Sequence, residues 1–280
     1  MLEEHLAGWS PEALTESDPM PPEPARALAA VLETPDEFGE ESELPALWHW
    51  IYFLEWARHG ELGPDGHPLE GHFLPPIPDR RRMFAGGRLT LSTPLVLGRP
   101  AQRKSSLDNV AVKQGRSGEM AFVTVRNEYR QDGALRLVEE QDYVYRSGES
   151  GGKSRQEHHV SPAESDAPWQ EPFTGDPVRL FRFSALTANS HRIHYDAPYA
   201  REVESYPGLV VHGPLLVLLM TEMARRRTGR GVSSVDYRLK RPVFAGDPVL
   251  VTGHPDDNAA DLTVLTGHDT VHAQAHVQLA

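Results

Sequence analysis

Alternation of apolar and polar positions is the strongest local signal in this chain. Val271, Ala273, Ala275, Val277 and Leu279 fall on every second residue, with polar side chains between them. A period of two sustained in this way predicts a half-buried strand. Val235, Tyr237 and Leu239 repeat the pattern, and residues 249–252 and 262–265 add two shorter strands. Earlier, residues 89–91, 121–129 and 135–145 read as strands in succession. Residues 214–227 (PLLVLLMTEMARRR) break the rhythm, being apolar almost all round in their first half. That composition predicts a helix enclosed by other elements rather than laid on a surface. Pro214 suits the first helical position, Arg225, Arg226 and Arg227 suit the C-terminal end of the dipole, and Gly229 follows as a stop.

Between these elements the texture of the chain suggests its organisation. Residues 1–43 are acidic and proline-rich, which predicts a weakly ordered or helical N-terminal arm. Residues 44–59 (LPALWHWIYFLEWARH) place three Trp, one Tyr and one Phe in a helix-length window, a core or interface element without chemistry of its own. Residues 60–78 are dense in Gly, Pro and His and read as a long loop. Residues 147–177 open on Gly, Ser, Pro and charge, the composition of a linker. It separates a first unit, residues 44–146, from a second, residues 178–280. LSTPLVLGRP at 91–100 matches LKRPVFAGDP at 239–248 as L-x-x-P-apolar-x-x-G-x-P, 148 residues apart. Four identities in ten, each followed by strands, indicate an internal duplication. Two unrelated strand–turn pairs with shared turn chemistry are the alternative.

Composition narrows the function. The 280 residues carry 28 Lys and Arg against 40 Asp and Glu, a net charge of −12, whereas nucleic-acid binding needs a basic field. No apolar run approaches the ~18 residues of a membrane-spanning helix. The first thirty residues hold Glu3, Glu4, Glu12, Glu16, Asp18 and Glu23 and no apolar stretch, unlike a secretory or transit peptide. With no cysteine, the chain has no disulfide, thiolate metal site or cysteine nucleophile. A soluble, cytoplasmic protein is the expectation.

The densest polar cluster is TANSHRIHYD at 187–196, followed by His212-Gly213-Pro214 at the start of the apolar helix. This resembles the signature of the MaoC-like, or hydratase 2, enzymes: small-Gly-Asp-x-Asn-Pro-Ile/Leu-His-x-Asp, then a His-Gly pair opening a central helix. The longer run FRFSALTANSHRIHYD with YPGLVVHGPL is similar to one subgroup in particular. It contains type-2 hydroxyacyl-thioester dehydratases and the itaconyl-CoA and mesaconyl-C4-CoA hydratases. GPDGHP, RRMFAGGRL, GRSGEMAFVTV and VEEQDYVYR extend the likeness to the first half, so it covers roughly residues 45–280. The resemblance implies an α+β, double hot-dog fold, an antiparallel sheet wrapped around a long central helix and duplicated in one chain. The second unit would carry the catalytic loop and the first a degenerate helix. The position 148 residues before Pro214 is Gly66, in a loop with no helical pattern, as that implies.

In the family pattern an Asp and a His five residues later form the acid–base pair. His194 takes the His position, but Asn189 stands where the Asp belongs, and His191 and Arg192 replace the Asn and Pro. An amide cannot exchange a proton near neutrality. Hydrating an enoyl thioester needs a base for water, a proton for the α-carbon and stabilisation of the enolate oxygen. The resemblance assigns His194 as general acid/base, Asn189 as holder of the water and the Gly213 backbone N–H as oxyanion donor, with no metal or redox cofactor required. His191 is either a partner of Asn189 or a turn cap, Asp196 either an N-cap or a proton donor, and His212 a relay candidate. A metal reading of His191-x-x-His194-x-Asp196 stands beside this.

Arg80, Arg81 and Arg82 form a positive patch suited to CoA phosphates, or solvated surface. Arg179, Arg182 and Arg192 flank the loop, where one could clamp a substrate carboxylate. The acidic chain favours CoA over an acidic carrier protein. The expected activity is reversible hydration of an α,β-unsaturated acyl-CoA, with mesaconyl-C4-CoA or itaconyl-CoA going to citramalyl-CoA in front. A 3-hydroxyacyl-thioester dehydratase of fatty-acid synthesis, an acyl-CoA thioesterase and a non-catalytic acyl-thioester-binding module are the alternatives. The aromatic stretch from Trp48 to Trp56 is a candidate surface for pairing two chains as a homodimer.

Overall fold

A computed structural model describes residues 1–115, 118–147, 158, 160–267 and 269–280. Ten strands form one continuous antiparallel sheet. The first half supplies β1 (Leu14–Asp18), β2 (Arg80–Leu91), β3 (Ala101–Gly115), β4 (Gly118–Gln131) and β5 (Ala134–Ser147). The second supplies β6 (Trp169–Phe173), β7 (Val232–Leu239), β8 (Val249–Pro255), β9 (Ala259–Thr266) and β10 (Thr270–Leu279). Their order, β1-β3-β4-β5-β2-β7-β10-β9-β8-β6, reads the same from either edge once each strand is matched to its repeat. At the seam Arg88 of β2 lies opposite Asp236 of β7, its own counterpart 148 residues on, with Gly86↔Arg238 and Thr90↔Ser234 mirrored about it. Two copies of one unit, side by side about a two-fold axis, pair in this way, so the duplication read from the sequence is a feature of the sheet.

The unit is larger than the sequence suggested. β1 edges the first half as β6 edges the second, and the helices α2 (Pro22–Leu32) and α3 (Pro177–Leu186) follow them, each starting at a proline. A third, short helix, α1 (Leu2–Leu6), precedes β1. Residues 1–43 are therefore no arm: Ala25, Leu28, Ala29 and Leu32 of α2 share one helical face and are buried in the main core. The acidic residues lie mostly outside that helix, which carries Glu23 alone, while Pro22 and Pro24 open its first turn. The linker reading also shortens. Residues 148–157 and 159 lie outside the described residues, but Trp169–Phe173 is a paired strand, whose Pro172 is tolerated because the strand sits at the sheet edge.

The halves differ where a central helix would lie. In the second, α5 (Gly213–Thr228) packs on β7, β8, β9 and β10, with Leu215, Leu216, Val217, Leu218, Met220, Met223 and Ala224 all buried. Each large apolar side chain buried in this way is worth about 1.5–3 kcal/mol, so this helix anchors the core. In the first half, residues 44–58 contain a 3-10 turn, Trp48–Ile51, preceded by Leu47 at a positive φ of 70°, and no α-helix. No helix forms across that window. Its aromatic groups are tied down instead: the Trp48 indole donates to Glu222 on α5 at 2.8 Å, and the Trp50 indole to the buried Glu139 at 2.6 Å. Trp48, His49, Ile51, Tyr52 and Phe53 are interior, which removes them from any surface between chains; Trp56 is 75% exposed.

Candidate active site

The polar loop is shaped by local hydrogen bonds. Asp176 caps α3, and the chain turns at Ala188, whose φ is 49°. The side-chain oxygen of Asn189 accepts the His191 backbone N–H at 3.1 Å. A 3-10 turn over Arg192–His194 follows, and Asp196 caps the next helix, α4 (Ala197–Glu202), by accepting from the Tyr199 N–H at 3.1 Å. The chain then returns antiparallel to the loop, where Val210 N–H donates to the Ile193 carbonyl at 2.9 Å. His194 is buried, with Nδ1 2.7 Å from the Val210 carbonyl oxygen. A carbonyl only accepts, so Nδ1 carries the hydrogen and Nε2 keeps its lone pair, as a general base requires.

His194 stands in a row of imidazoles. Its ring stacks on His212 with centroids 3.7 Å apart and planes 18° from parallel. His191 lies 5.6 Å from His194, and His67 lies 4.0 Å from His191. The row ends in polar anchors. His212 Nε2 is 2.8 Å from the Ser184 hydroxyl, while its buried Nδ1 has no protein partner among the described residues. His67 Nδ1 lies 2.9 Å from an Asp65 carboxylate oxygen. Burial disfavours charge throughout, reinforced by neighbouring imidazoles at His191, His194 and His212 and by Arg82 and Arg80 at His67: it lowers His194 to about 4 and His191 to about 2, and it pulls His67 and His212 below their ordinary range. The whole row is neutral at pH 7.

That neutrality has a cost in acid. An unfolded imidazole takes up its proton near 6.5, whereas folded His194 resists until about 4. The unfolded chain therefore binds more protons in that window, and stability rises with pH there. We expect full stability above about pH 6.5 and progressive loss as the pH falls towards 4. Denaturant midpoints between pH 7.5 and 4.5 measure it, and a flat profile would contradict a buried neutral row.

Asp65 and His67 come from the loop at 60–78, from which sequence reasoning drew no chemistry. The local trace is the glycine between them. Gly66 has φ 89° and lies so close to the polar loop that a Cβ would sit 2.0 Å from the Ser190 carbonyl oxygen. Three hydrogen bonds hold the loops together: Ser190 Oγ to the Gly66 carbonyl at 2.5 Å, Arg192 N–H to the Asp65 carbonyl at 2.8 Å, and the Arg192 guanidinium to the Pro64 carbonyl at 2.9 Å. The site is thus assembled from both halves of the chain.

The remaining candidates separate into those at this site and those held elsewhere. Gly213 is the first residue of α5, so its N–H has no intrahelical partner; a Cβ there would press to 2.4 Å from a Leu239 methyl group. Asp196 is spent on its cap and on Arg192, 2.7 Å away, and does not join His191 and His194 as a metal triad. One ligand atom each from Asp65, His67 and His191 do lie within 4.8 Å of one another, the arrangement that a divalent cation would require. Arg192, besides its ion pair, covers the Tyr199 ring at 4.1 Å. Arg179 pairs with Glu33 at 3.1 Å, Arg80 donates to the Pro75 and Leu69 carbonyls, and Arg81 pairs with Glu204. All four thus make contacts within the chain. Arg182 is exposed on α3. Arg82 is exposed too, 5.2 Å from the centre of the Tyr143 ring, and its charge helps lower both His67 and His191, which places it beside the row.

The model of one family, hydroxyacyl-thioester dehydratase type 2, matches residues 47–245. The chain belongs to this family. It is a hydro-lyase of the MaoC-like group, in keeping with its relatives. A mesaconyl-C4-CoA hydratase of Chloroflexus aurantiacus is 47% identical over 240 residues, 85% of each chain. The mitochondrial type 2 hydroxyacyl-thioester dehydratase of Schizosaccharomyces pombe is 40% identical over 82 residues, 28% of this chain and 27% of its own. Among solved structures, a MaoC-like dehydratase from Phytophthora capsici superimposes with a TM-score of 0.69 at 12% identity, over 100% of this chain and 99% of its own. HtdX of Mycobacterium tuberculosis does so at 0.64 and 15%, over 96% and 100%. The architecture is accordingly the double hot-dog. No helix among the described residues is long and apolar enough to cross a membrane.

Proposed function

We propose that this hydro-lyase hydrates a C4-dicarboxylyl-CoA ester, mesaconyl-C4-CoA first and itaconyl-CoA second, to give citramalyl-CoA. The observation that carries this reading is the 47% identity, extending over 85% of both chains, to a hydratase of mesaconyl-C4-CoA. The geometry supports it. His194 presents an unprotonated Nε2 to take a proton from water as the oxygen attacks the β-carbon. The double-bond electrons move to the thioester oxygen, where the free N–H groups and dipole at the start of α5 stabilise the enolate. The imidazolium then returns its proton to the α-carbon, so atoms and charge balance with neither metal nor redox cofactor. Asn189 uses its carbonyl oxygen on His191 N–H, which leaves its NH2 group to donate to the water oxygen.

Arg82 meets the substrate's free carboxylate in this reading, because it combines exposure with proximity to the imidazole row. Arg82→Met should raise KM for mesaconyl-C4-CoA by about tenfold or more, the worth of one charge-assisted contact. It should leave crotonyl-CoA, which has no free carboxylate, unchanged. Equal losses on both esters would remove Arg82 from the acyl pocket.

The function itself is tested by following the ultraviolet absorbance of the conjugated enoyl thioester with free thiol measured in parallel. Mesaconyl-, itaconyl- and crotonyl-CoA form the panel. Absorbance loss without thiol release, fastest on a dicarboxylyl ester, is the expected result. Preference for crotonyl-CoA would point to the fatty-acyl dehydratase reaction, thiol release to a thioesterase, and tight binding without turnover to a binding module.

A further inference from the structure

We propose that Asp65 and His67, supplied by the first half of the chain, replace the carboxylate that the catalytic loop lacks at Asn189. His67 accepts a hydrogen bond from the attacking water, and Asp65 sets the tautomer of His67. The inference rests on the hydratase reading above and adds to it the residues that hold the nucleophile.

A single imidazole is an incomplete holder for water. His194 Nε2 can accept one hydrogen, while the second must point at another acceptor if the oxygen lone pair is to face the β-carbon. The Asn189 oxygen already accepts the His191 N–H, and a neutral amide lacks the charge and basicity that a carboxylate brings to that position. Asp196 is engaged by Arg192 and Tyr199. Among the described residues, Asp65 is the carboxylate bonded to a member of the imidazole row.

The Asp65–His67 geometry is specific. One carboxylate oxygen accepts the His67 backbone N–H at 2.9 Å and the other faces His67 Nδ1 at 2.9 Å. The side chain that sets the ring is therefore fixed to the backbone of the same residue. Both Asp65 carboxylate oxygens thus face N–H groups of His67, the arrangement of an ionised carboxylate. A carboxylate accepts only, so Nδ1 must donate and Nε2 is left as an acceptor. The ring is held against His191, the next member of the row, at 4.0 Å. The loop is docked through Gly66, between the two residues, at a distance that admits no side chain. A surface Asp-Gly-His turn would need no such contact with a catalytic loop 120 residues away.

The test compares wild type, His67→Ala, Asp65→Asn and His194→Ala on the preferred enoyl-CoA ester, with melting temperatures to confirm folding. Asp65→Asn keeps the size of the side chain. With its oxygen still on the His67 N–H, its NH2 group would face Nδ1 and turn the ring into the Nε2–H tautomer, a donor where an acceptor is required. We expect both His67→Ala and Asp65→Asn to lower kcat at least tenfold with KM within about twofold, and free imidazole to restore part of the His67→Ala rate. Imidazole nitrogen-15 shifts should report Nδ1–H for His67 in wild type and Nε2–H in Asp65→Asn, a signature that a purely structural role would not produce. Wild-type kcat in folded His67→Ala would overturn the assignment, as would an unchanged tautomer and rate in Asp65→Asn. Stoichiometric divalent metal in purified wild type, lost in His67→Ala, would overturn it in favour of a metal centre. Wild type inactive on every ester would instead overturn the hydratase reading, and the inference with it.

Discussion

His194→Ala should abolish most hydration, with kcat falling by about 10²–10⁴, the range that positioned acid–base groups supply. That fall corresponds to about 3–5 kcal/mol of transition-state stabilisation. The expectation rests on two fixed features of His194: its Nδ1 is committed to the Val210 carbonyl, and its ring is clamped against His212. The base is therefore held in one tautomer and one orientation before substrate arrives. Deleting the ring also leaves the Val210 carbonyl without its donor, at a cost of about 1–3 kcal/mol in a buried place, so part of any loss could reflect stability. His194→Gln separates the two effects, because its amide can still donate to that carbonyl yet cannot take a proton. Both variants should be inactive, with His194→Gln the more stable. A folded His194→Gln retaining wild-type kcat would sink the mechanism.

What the sequence revealed of this molecule follows from how local each signal is. β10 and α5 were legible because their periods, two and near-continuous apolarity, are written into consecutive residues. The duplication was legible at one ten-residue match, which begins at the ends of β2 and β7, the strands that pair at the seam, and runs into the turns beyond them. A helix was among the readings of residues 1–43, but β1 and the burial of α2 were not, because a five-residue strand and an eleven-residue helix within an acidic, proline-rich stretch carry the average composition of an arm. The aromatic window reads as core or interface from its composition, and it is core, built on a 3-10 turn rather than on a helix. The left-handed turn at Leu47 and the indole bonds to Glu222 and Glu139 are tertiary choices that no helical periodicity encodes. The catalytic loop was legible as a motif, whereas its partner was not: Gly66 and Ser190 are separated by 124 residues, and only folding brings them together.

Gly66→Ala is the second large effect, because it tests that junction rather than any chemical group. At φ 89° an alanine is strained by about 1–2 kcal/mol. Its Cβ would also lie 2.0 Å from a backbone oxygen, Ser190 O, which no side-chain rotation can relieve. One loop must retreat, and the Ser190–Gly66 and Arg192–Asp65 bonds stretch or break with it. The sheet and α5 do not depend on these contacts, so the protein should remain folded with a modestly lower melting temperature. The chemistry should suffer more, since a displacement of about 1 Å at a positioned group can cost about 10²-fold. An activity loss of at least tenfold with little change in far-ultraviolet circular dichroism is the expected outcome. If Gly66→Ala hydrates as fast as wild type, the catalytic loop works without the first half of the chain, and the site belongs to the second unit alone.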